Sequence, residues 1–503
     1  MKFILSIDQG TTGTTACLID AETFLFIGKI NKEYPQIYPK PSWVEHNLND
    51  IWSSVEFTVR EVLRSHNVQG SQIAAIGITN QRETTCAFNR AGAPLANAIV
   101  WQDRRTSEFC QELKAQKSLP EKIKILTGLP IEPYFSASKM NWLLKNNSAV
   151  KDAAHNNDLL FGTIDTFLLY KLTGHTDHKT DASNASRTML MNLKTTSWDQ
   201  ELLDLFEVKK ESLPSIEDSF QQFGVTKNLS FLPDGIPVTG ILGDQQSALF
   251  GQAGFYQGEM KCTYGTGAFV LLNTGDKLIY SKSGLLTTVE YRHKGKTCYA
   301  LEGSSYIAGA AVQWLRDNLK IISKSSEVEA LALEVKNLDE LKNILFFPFF
   351  SGIGSPYWNA EAKASIVGLT RDSNRAHIAY ACLEGIALSI NDLLVAMRKD
   401  TGLAISTLKV DGGAVDNNLL MQLQASISET KIIKPKIIET TAFGAALAAA
   451  IGAGLVEFDQ LKNIWQKDRE FLSNAELDLY TKNKKNLWSK TLHSLYQVNE
   501  KID

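Results

Sequence analysis

Cysteine is sparse in this sequence and never closely paired. Cys17, Cys86, Cys110, Cys262, Cys298 and Cys382 stand singly, with no Cys-x-x-Cys and no histidine pair at zinc spacing. That pattern excludes a disulfide framework and a structural zinc site, and it predicts a reducing, cytoplasmic setting. Charge of one sign is missing as well. The 52 basic and 55 acidic residues leave a formal charge of −3, without the basic footprint of a nucleic-acid binder. Long hydrophobic runs are also lacking. The opening "MKFILSIDQG" is interrupted by Asp8 before it could serve as a secretory leader. The longest stretch of low polarity, Ala442 to Val456, falls short of the roughly 20 residues a membrane span needs. Its glycines and alanines predict a buried helix packed closely on a neighbour, and no stable membrane insertion.

Two familiar nucleotide motifs are absent too. Gly295-Lys296-Thr297 imitates the end of a Walker A loop, but Glu290 stands where that loop needs its first glycine. No Gly-x-Gly-x-x-Gly follows a strand. Any nucleotide must therefore be held another way.

What is present is material for more than one core. The chain has 503 residues, 44% hydrophobic and 21% charged. This exceeds the roughly 250–300 residues at which single cores stop growing, so two domains are expected. The closely spaced glycines of "GQAGFYQG" place the junction near Gly251 to Gly258. Short β runs ("IAAIGIT", "IPVTGIL", "STLKVDGGA") alternate with amphipathic stretches such as "HIAYACLEGIALSINDLLVAMRKDTG", which Gly402 should stop. The class is α/β.

The most informative stretch is "ILSIDQGTTGTTACLID", Ile4 to Asp20. An apolar strand ends in Asp8, a turn of glycines and threonines follows, and a second apolar strand resumes. A plain hairpin needs the glycines but not the hydroxyls beside a carboxylate. A phosphate-binding turn uses all three, and both readings are open from this stretch alone. "EMKCTYGTGAFVLLNTG", Glu259 to Gly275, repeats the pattern half a chain later and suggests two similar halves facing a cleft. "VDGGAVDNNLLMQ" is a third glycine-rich element, with Gly412 and Gly413 joining a strand to a helix that Asn417 begins. In "GILGDQQSALFG", Asp244 is either a helix cap or a carboxylate at a strand end placed to take a proton from an attacking hydroxyl. Arg82 and Glu83 in "GITNQRETTCAF" form either a solvated turn or a donor and acceptor for a polyol. Trp101 in "IVWQDRRT" covers such a ligand or fills the core.

These residues lie in longer strings that resemble the FGGY carbohydrate-kinase family over nearly the whole chain. Among them are "DQGTT", "QIYPKPSWVEHN", "GITNQRETT", "TDASNASRTML", "YFSASKMNWLLKN", "GDQQSALFGQ", "YGTGAF", "YALEGS" and "DGGAVDNN". The resemblance implies a two-domain, actin-like (ribonuclease H-like) ATPase fold with an interdomain catalytic cleft. Residues 1–252 would carry the polyol and phosphate site, and residues 253–503 the nucleotide site. It implies ATP-dependent phosphorylation of glycerol to sn-glycerol 3-phosphate and ADP, by a homodimer or homotetramer. Glycerol would be held by Arg82, Glu83, Trp101, Tyr134, Asp244, Gln245 and Phe269, with Asp244 as the catalytic base. ATP would meet Thr11, Thr12, Gly13, Thr15, Thr266, Gly309, Gln313, Gly413 and Asn417, with Mg²⁺ near Asp8. One departure stands out, because relatives usually carry a basic residue where this chain has Thr15. Thr15→Arg is therefore expected to be tolerated. The segment Phe223 to Pro237 lacks the family's phosphorylatable histidine and its glycine-arginine loop for fructose bisphosphate, so neither control is expected. A pentulose kinase and an actin-like ATP-binding scaffold are the alternatives. Against the first stands a cluster suited to a short triol, and against the second the intact Asp244.

Overall fold

The computed structural model describes residues 2–498. The glycine-threonine segment forms an antiparallel hairpin, β1 (Phe3–Gln9) and β2 (Gly13–Asp20), with Asp8 directly opposite Thr15. β3 (Phe26–Glu33) pairs antiparallel with β2, while β4 (Ile73–Asn80) lies parallel to β1. β5 (Phe220–Val225) and β6 (Pro237–Gly243) complete a six-stranded sheet of order β5-β6-β4-β1-β2-β3.

The second half builds the same layout. A hairpin of β7 (Met260–Tyr264) and β8 (Ala268–Gly275) is followed by β9 (Leu286–His293) and β10 (Lys296–Ser305). β11 (Thr407–Asp411) lies parallel to β7, then come β12 (Lys431–Pro435) and β13 (Lys467–Phe471), giving the order β9-β10-β8-β7-β11-β12-β13. In each sheet a hairpin has a third strand antiparallel on one side and two parallel strands on the other. This shared order is the structural form of the sequence echo.

Helices pack over these sheets. α1 (Leu48–Ser65) is started by Asn47, whose side chain accepts from Asn49 N, and buries Ile51, Val55, Val59 and Val62. α2 (Asp244–Gly251) follows β6 directly, and α3 (Gly309–Asp317) follows β10 after a short turn. α4 (Arg375–Thr401) ends at Gly402, which adopts the left-handed conformation (φ 66°), as its sequence position predicts. By length and composition α4 is the one described helix that could cross a bilayer, but 83% of its apolar window is buried inside the protein. α5 (Asn418–Ser428) and α6 (Thr440–Gly452) complete the core set.

α6 is the alanine- and glycine-rich stretch, and its position is the least obvious from sequence. It lies in the second half of the chain yet packs on the first sheet, sharing a buried cluster with Ile4, Cys17, Ile19 and Ala75. Ser6 Oγ donates to the Ala442 carbonyl (2.7 Å) and Thr239 Oγ1 to that of Ala449 (2.7 Å). α6 also crosses α2 at near backbone contact, where a Cβ on Gly444 would lie 1.8 Å from the Ser247 carbonyl oxygen. Backbone cannot yield as a side chain tip does. Gly444→Ala should therefore destabilise the fold by about 1–3 kcal/mol, the usual cost of overpacking, as a lower urea midpoint with unchanged slope would show.

Candidate functional site

The ends of β1, β4, β6 and β7 converge between the halves, and a buried charge network lines their meeting. Arg82, just after β4, is 2% exposed at its side chain and pairs through Nε with Asp244 Oδ1 (3.0 Å). Its Nη1 donates to Glu302 Oε2 (2.5 Å) and Gln246 Oε1 (3.1 Å), and its Nη2 to Glu302 Oε1 (3.1 Å). Arg187 donates to Glu83 Oε1 (2.6 Å) and to Glu302 Oε1 (3.0 Å). Burial disfavours the ionised form of Glu302, yet Arg187 and Arg82 together hold its carboxyl below the ordinary value. Burial outweighs the same two cations at Glu83 and leaves it raised. Glu83 is also held at positive φ (60°), an uncommon conformation for a residue with a side chain.

Asp244 opens α2 and keeps 28% of its side chain exposed, so a ligand in the cleft can reach it. The backbone N–H of Gln245 donates to Oδ1 (2.7 Å). The ion pair and this hydrogen bond thus fall on one oxygen, and Oδ2 is the one left to accept a proton. Gln245 is fixed in turn by the buried Lys261, whose ammonium donates to its Oε1 (2.5 Å) and to Thr263 Oγ1 (2.8 Å). Phe269 sits opposite Thr263 and Ser304 in the second sheet, on the face that carries Lys261 and Glu302. Trp101 and Tyr134 meet edge to face (5.5 Å), and the Arg187 guanidinium lies 5.7 Å from the Tyr134 ring centroid. All seven residues expected to surround a polyol are thus joined by contact or by a shared face. The two Nη groups of Arg82 donate to Glu302 and Gln246, while its buried Nε finds no hydrogen-bond partner among the described residues.

The first hairpin turn is attached to this cluster. Trp101 Nε1 donates to Thr11 Oγ1 (3.0 Å), which leaves that hydroxyl's own proton available to an acceptor such as phosphate. Tyr34 Oη donates to the carbonyls of Gly10 (2.6 Å) and Thr11 (2.9 Å) and braces the turn from below. Thr12 is exposed at the apex. Gly13 is required by packing, because a Cβ there would lie 2.9 Å from the Lys32 carbonyl oxygen. Thr15 accepts from Asn31 Nδ2 (2.9 Å).

Asp8 lies beside Thr15 on the same face. Burial and the negative charges of Asp244 and Glu439 push its carboxyl up to about 8. The folded state therefore keeps a proton that the unfolded chain releases above about pH 4. Stability should fall as pH rises from 4 to 8, and Asp8→Asn should remove that slope, so that its stability advantage over wild type grows across the window. Urea unfolding at several pH values checks this, and parallel profiles would contradict it.

The second hairpin turn borders a cavity of about 380 Å³ lined by Thr266, Gly309, Gln313, Gly413 and Asn417, with Ser325, Glu329 and Ile386 among its other walls. The N–H groups of Ala308 and Ala310 both donate to the Thr266 carbonyl (2.8 and 3.1 Å), fixing the turn against the start of α3. Asn417 caps α5, accepting from Leu420 N (2.8 Å). Gly412 and Gly413 differ in kind. Gly412 has φ 92° and would clash with the Tyr264 carbonyl, whereas a Cβ on Gly413 would meet nothing within 4 Å. Packing explains the first glycine, and open approach to the cavity explains the second.

Comparison with known proteins fits this two-part architecture. Residues 3–251 match the FGGY family of carbohydrate kinases, N-terminal domain, and residues 260–453 match its C-terminal domain. The chain belongs to the FGGY family of carbohydrate kinases. Among its relatives is the glycerol kinase of Myxococcus xanthus, 49% identical over 95% of this chain and 96% of the relative. The glycerol kinase of Bdellovibrio bacteriovorus is 49% identical over 93% and 94% of the two chains. The crystal structure of Plasmodium falciparum glycerol kinase with ADP superposes with a TM-score of 0.90 at 36% identity, covering 98% of each chain. A gluconate kinase from Lactobacillus acidophilus shares the fold (TM-score 0.87, 24% identity, 99% of each chain).

For this FGGY kinase, sequence reasoning assigned no role to Arg187, Gln246, Lys261 or Glu302. Arg187 and Glu302 lie in the strings "TDASNASRTML" and "YALEGS" that carry the resemblance, but nothing local tells a buried ion-pair partner from a surface charge. Lys139 was missed likewise. Its buried ammonium donates to the Tyr134 carbonyl (2.6 Å) and is lowered to about 7 by burial.

Proposed function

We propose that this kinase transfers the γ-phosphoryl group of ATP to a primary hydroxyl of glycerol, giving sn-glycerol 3-phosphate and ADP. The observation that carries the proposal is the hydrogen bond from Trp101 to Thr11, which ties the wall of the polyol cluster to the phosphate hairpin with Asp244 alongside. Glycerol lies between Trp101, Tyr134 and Phe269, with its hydroxyls toward Asp244, Gln245, Glu83 and Arg82. Asp244 Oδ2 takes the proton from the attacking hydroxyl while Arg82 and the Gln245 amide hold Oδ1. The hydroxyl oxygen then bonds to the γ-phosphorus as the bond to the β–γ bridging oxygen breaks. The loose transition state asks mainly for position and charge. Thr11, Thr12 and Thr266 face the phosphates from the two hairpins, backed by Gly13 and Thr15 on β2, and Gly309, Gln313, Gly413 and Asn417 surround the nucleoside side.

Asp8 is suited to hold Mg²⁺, because a nearby cation relieves the burial and the like charges that disfavour its ionised form. When bound, the ion supplies positive charge to the phosphates. The reading extends to a cytoplasmic homodimer or homotetramer. All six cysteines are free and buried, which agrees with a reducing compartment, and sedimentation at enzyme concentration tests the assembly. The activity itself is tested by incubating the protein with Mg-ATP and glycerol and identifying the products. Equimolar ADP and sn-glycerol 3-phosphate support it, and ADP with free phosphate contradicts it.

A further inference from the structure

The first turn of one further helix, Ser136–Asn146, reaches three parts of the polyol cluster. Ser136 Oγ donates to the carbonyl of Glu83 (3.0 Å), the residue held at positive φ. The Ala137 N–H donates to the carbonyl of Thr188 (2.9 Å), next to Arg187. Lys139 completes the set. Long side chains on a helix point back toward its N-terminus, and the fully buried Lys139 ammonium folds back over this turn to donate to the carbonyls of Tyr134 (2.6 Å) and Phe135 (3.4 Å). Tyr134 precedes the helix, so its carbonyl lies outside the ladder of helical bonds. The lysine thus fixes the backbone from which the Tyr134 ring meets Trp101 (5.5 Å) and the Arg187 guanidinium (5.7 Å).

A buried charge is strongly disfavoured unless an opposite charge answers it. Both carbonyls that accept from Lys139 are neutral. Glu83 and Asp103 favour its charge from a distance, Arg104 opposes it, and the Cys110 thiol, pushed up by its own burial, carries no charge near neutral pH. Burial prevails and lowers the lysine to about 7. The hold on Tyr134 therefore changes near neutral pH, because an ammonium makes charge-assisted bonds roughly twice as strong as those of a neutral donor.

We propose that Lys139 is a positioning residue of the polyol site, its ammonium holding the Tyr134 backbone in the place from which the Tyr134 side chain meets glycerol. The inference rests on the glycerol reading above and adds to it a residue that itself touches neither substrate. Because the protonated lysine holds Tyr134 more firmly than the neutral amine does, glycerol binds more tightly below neutral pH than above it. By the same linkage, bound glycerol strengthens the lysine's hold on its proton. A lysine that only stabilised the core would change the melting temperature without making glycerol affinity depend on pH.

Steady-state kinetics at saturating Mg-ATP separates these cases. In wild type the glycerol KM should rise about fivefold to tenfold between about pH 6 and pH 8, as the protonated fraction of a group near 7 falls. Lys139→Met, similar in length, should raise the glycerol KM about tenfold at the acid end, the size of one charge-assisted bond. It should keep kcat and the Mg-ATP KM within about threefold of wild type, and its glycerol KM should no longer vary with pH. Calorimetric titration of wild type with glycerol just above neutral pH, in two buffers of different ionisation enthalpy, reads the same coupling without a variant, as proton uptake on binding. A glycerol KM that is flat across the window in wild type, binding without proton uptake, or a pH-dependent KM that persists in Lys139→Met each overturns the proposal, and the first two decide even if the variant does not fold. Failure of wild type to bind glycerol at all overturns the glycerol reading itself, an outcome distinct from any effect of position 139.

Discussion

Asp244→Asn lowers kcat for glycerol phosphorylation by about a hundredfold to ten-thousandfold, the range that general-base removal usually costs. The substitution is nearly isosteric, and asparagine still offers an oxygen to the Gln245 amide, which donates to Oδ1 at 2.7 Å, with the Arg82 guanidinium 3.0 Å from the same atom. What disappears is the oxygen left to take the proton. Steady-state kinetics should therefore show the loss in kcat, with the KM for each substrate shifted by less than about threefold, because the ground-state contacts survive. A variant that keeps kcat while glycerol KM rises steeply would make Asp244 a binding group and not the base.

The second large effect belongs to stability. Glu302 is 1% exposed and answers both Arg82 and Arg187, so Glu302→Gln leaves two buried guanidinium groups with one carboxylate fewer. Breaking a buried pair from one side typically costs about 3–5 kcal/mol, mostly as the desolvation of the charge left behind. Urea unfolding at neutral pH should show that loss, and activity should fall with it because Arg82 also holds Asp244. Glu302→Gln with wild-type stability would show that the cluster is solvated and contributes little to joining the halves.

Several parts of the fold were legible because their causes are local. The strand, glycine-threonine turn and strand at both hairpins need only near neighbours to specify them, and each forms where the sequence places it. The end of α4 at Gly402 and the capping of α5 by Asn417 are of the same kind. The charge network was not legible, because Arg82 meets Glu302 across 220 residues and Arg187 meets Glu83 across 104. No spacing rule connects such positions, and each of the four alone resembles a surface charge. α6 shows the same limit. Its small residues announced close packing, but which partner it meets depends on α2 and on the first sheet, whose contacts with it span 210 to 436 residues. Resemblance covered part of this gap for Tyr134 and Phe269, whose local sequence gave no reason to join Arg82 and Trp101.

The central claim is that one cleft joins a glycerol cluster to a phosphate hairpin with Asp244 between them. The most direct test follows ADP release from Mg-ATP by wild type and Asp244→Asn, with glycerol, dihydroxyacetone, xylulose, ribulose or no acceptor. Release that depends on glycerol, exceeds that with the longer ketoses and is lost in the variant is the predicted result. Equal release without any acceptor, or release unaffected by the variant, would contradict it.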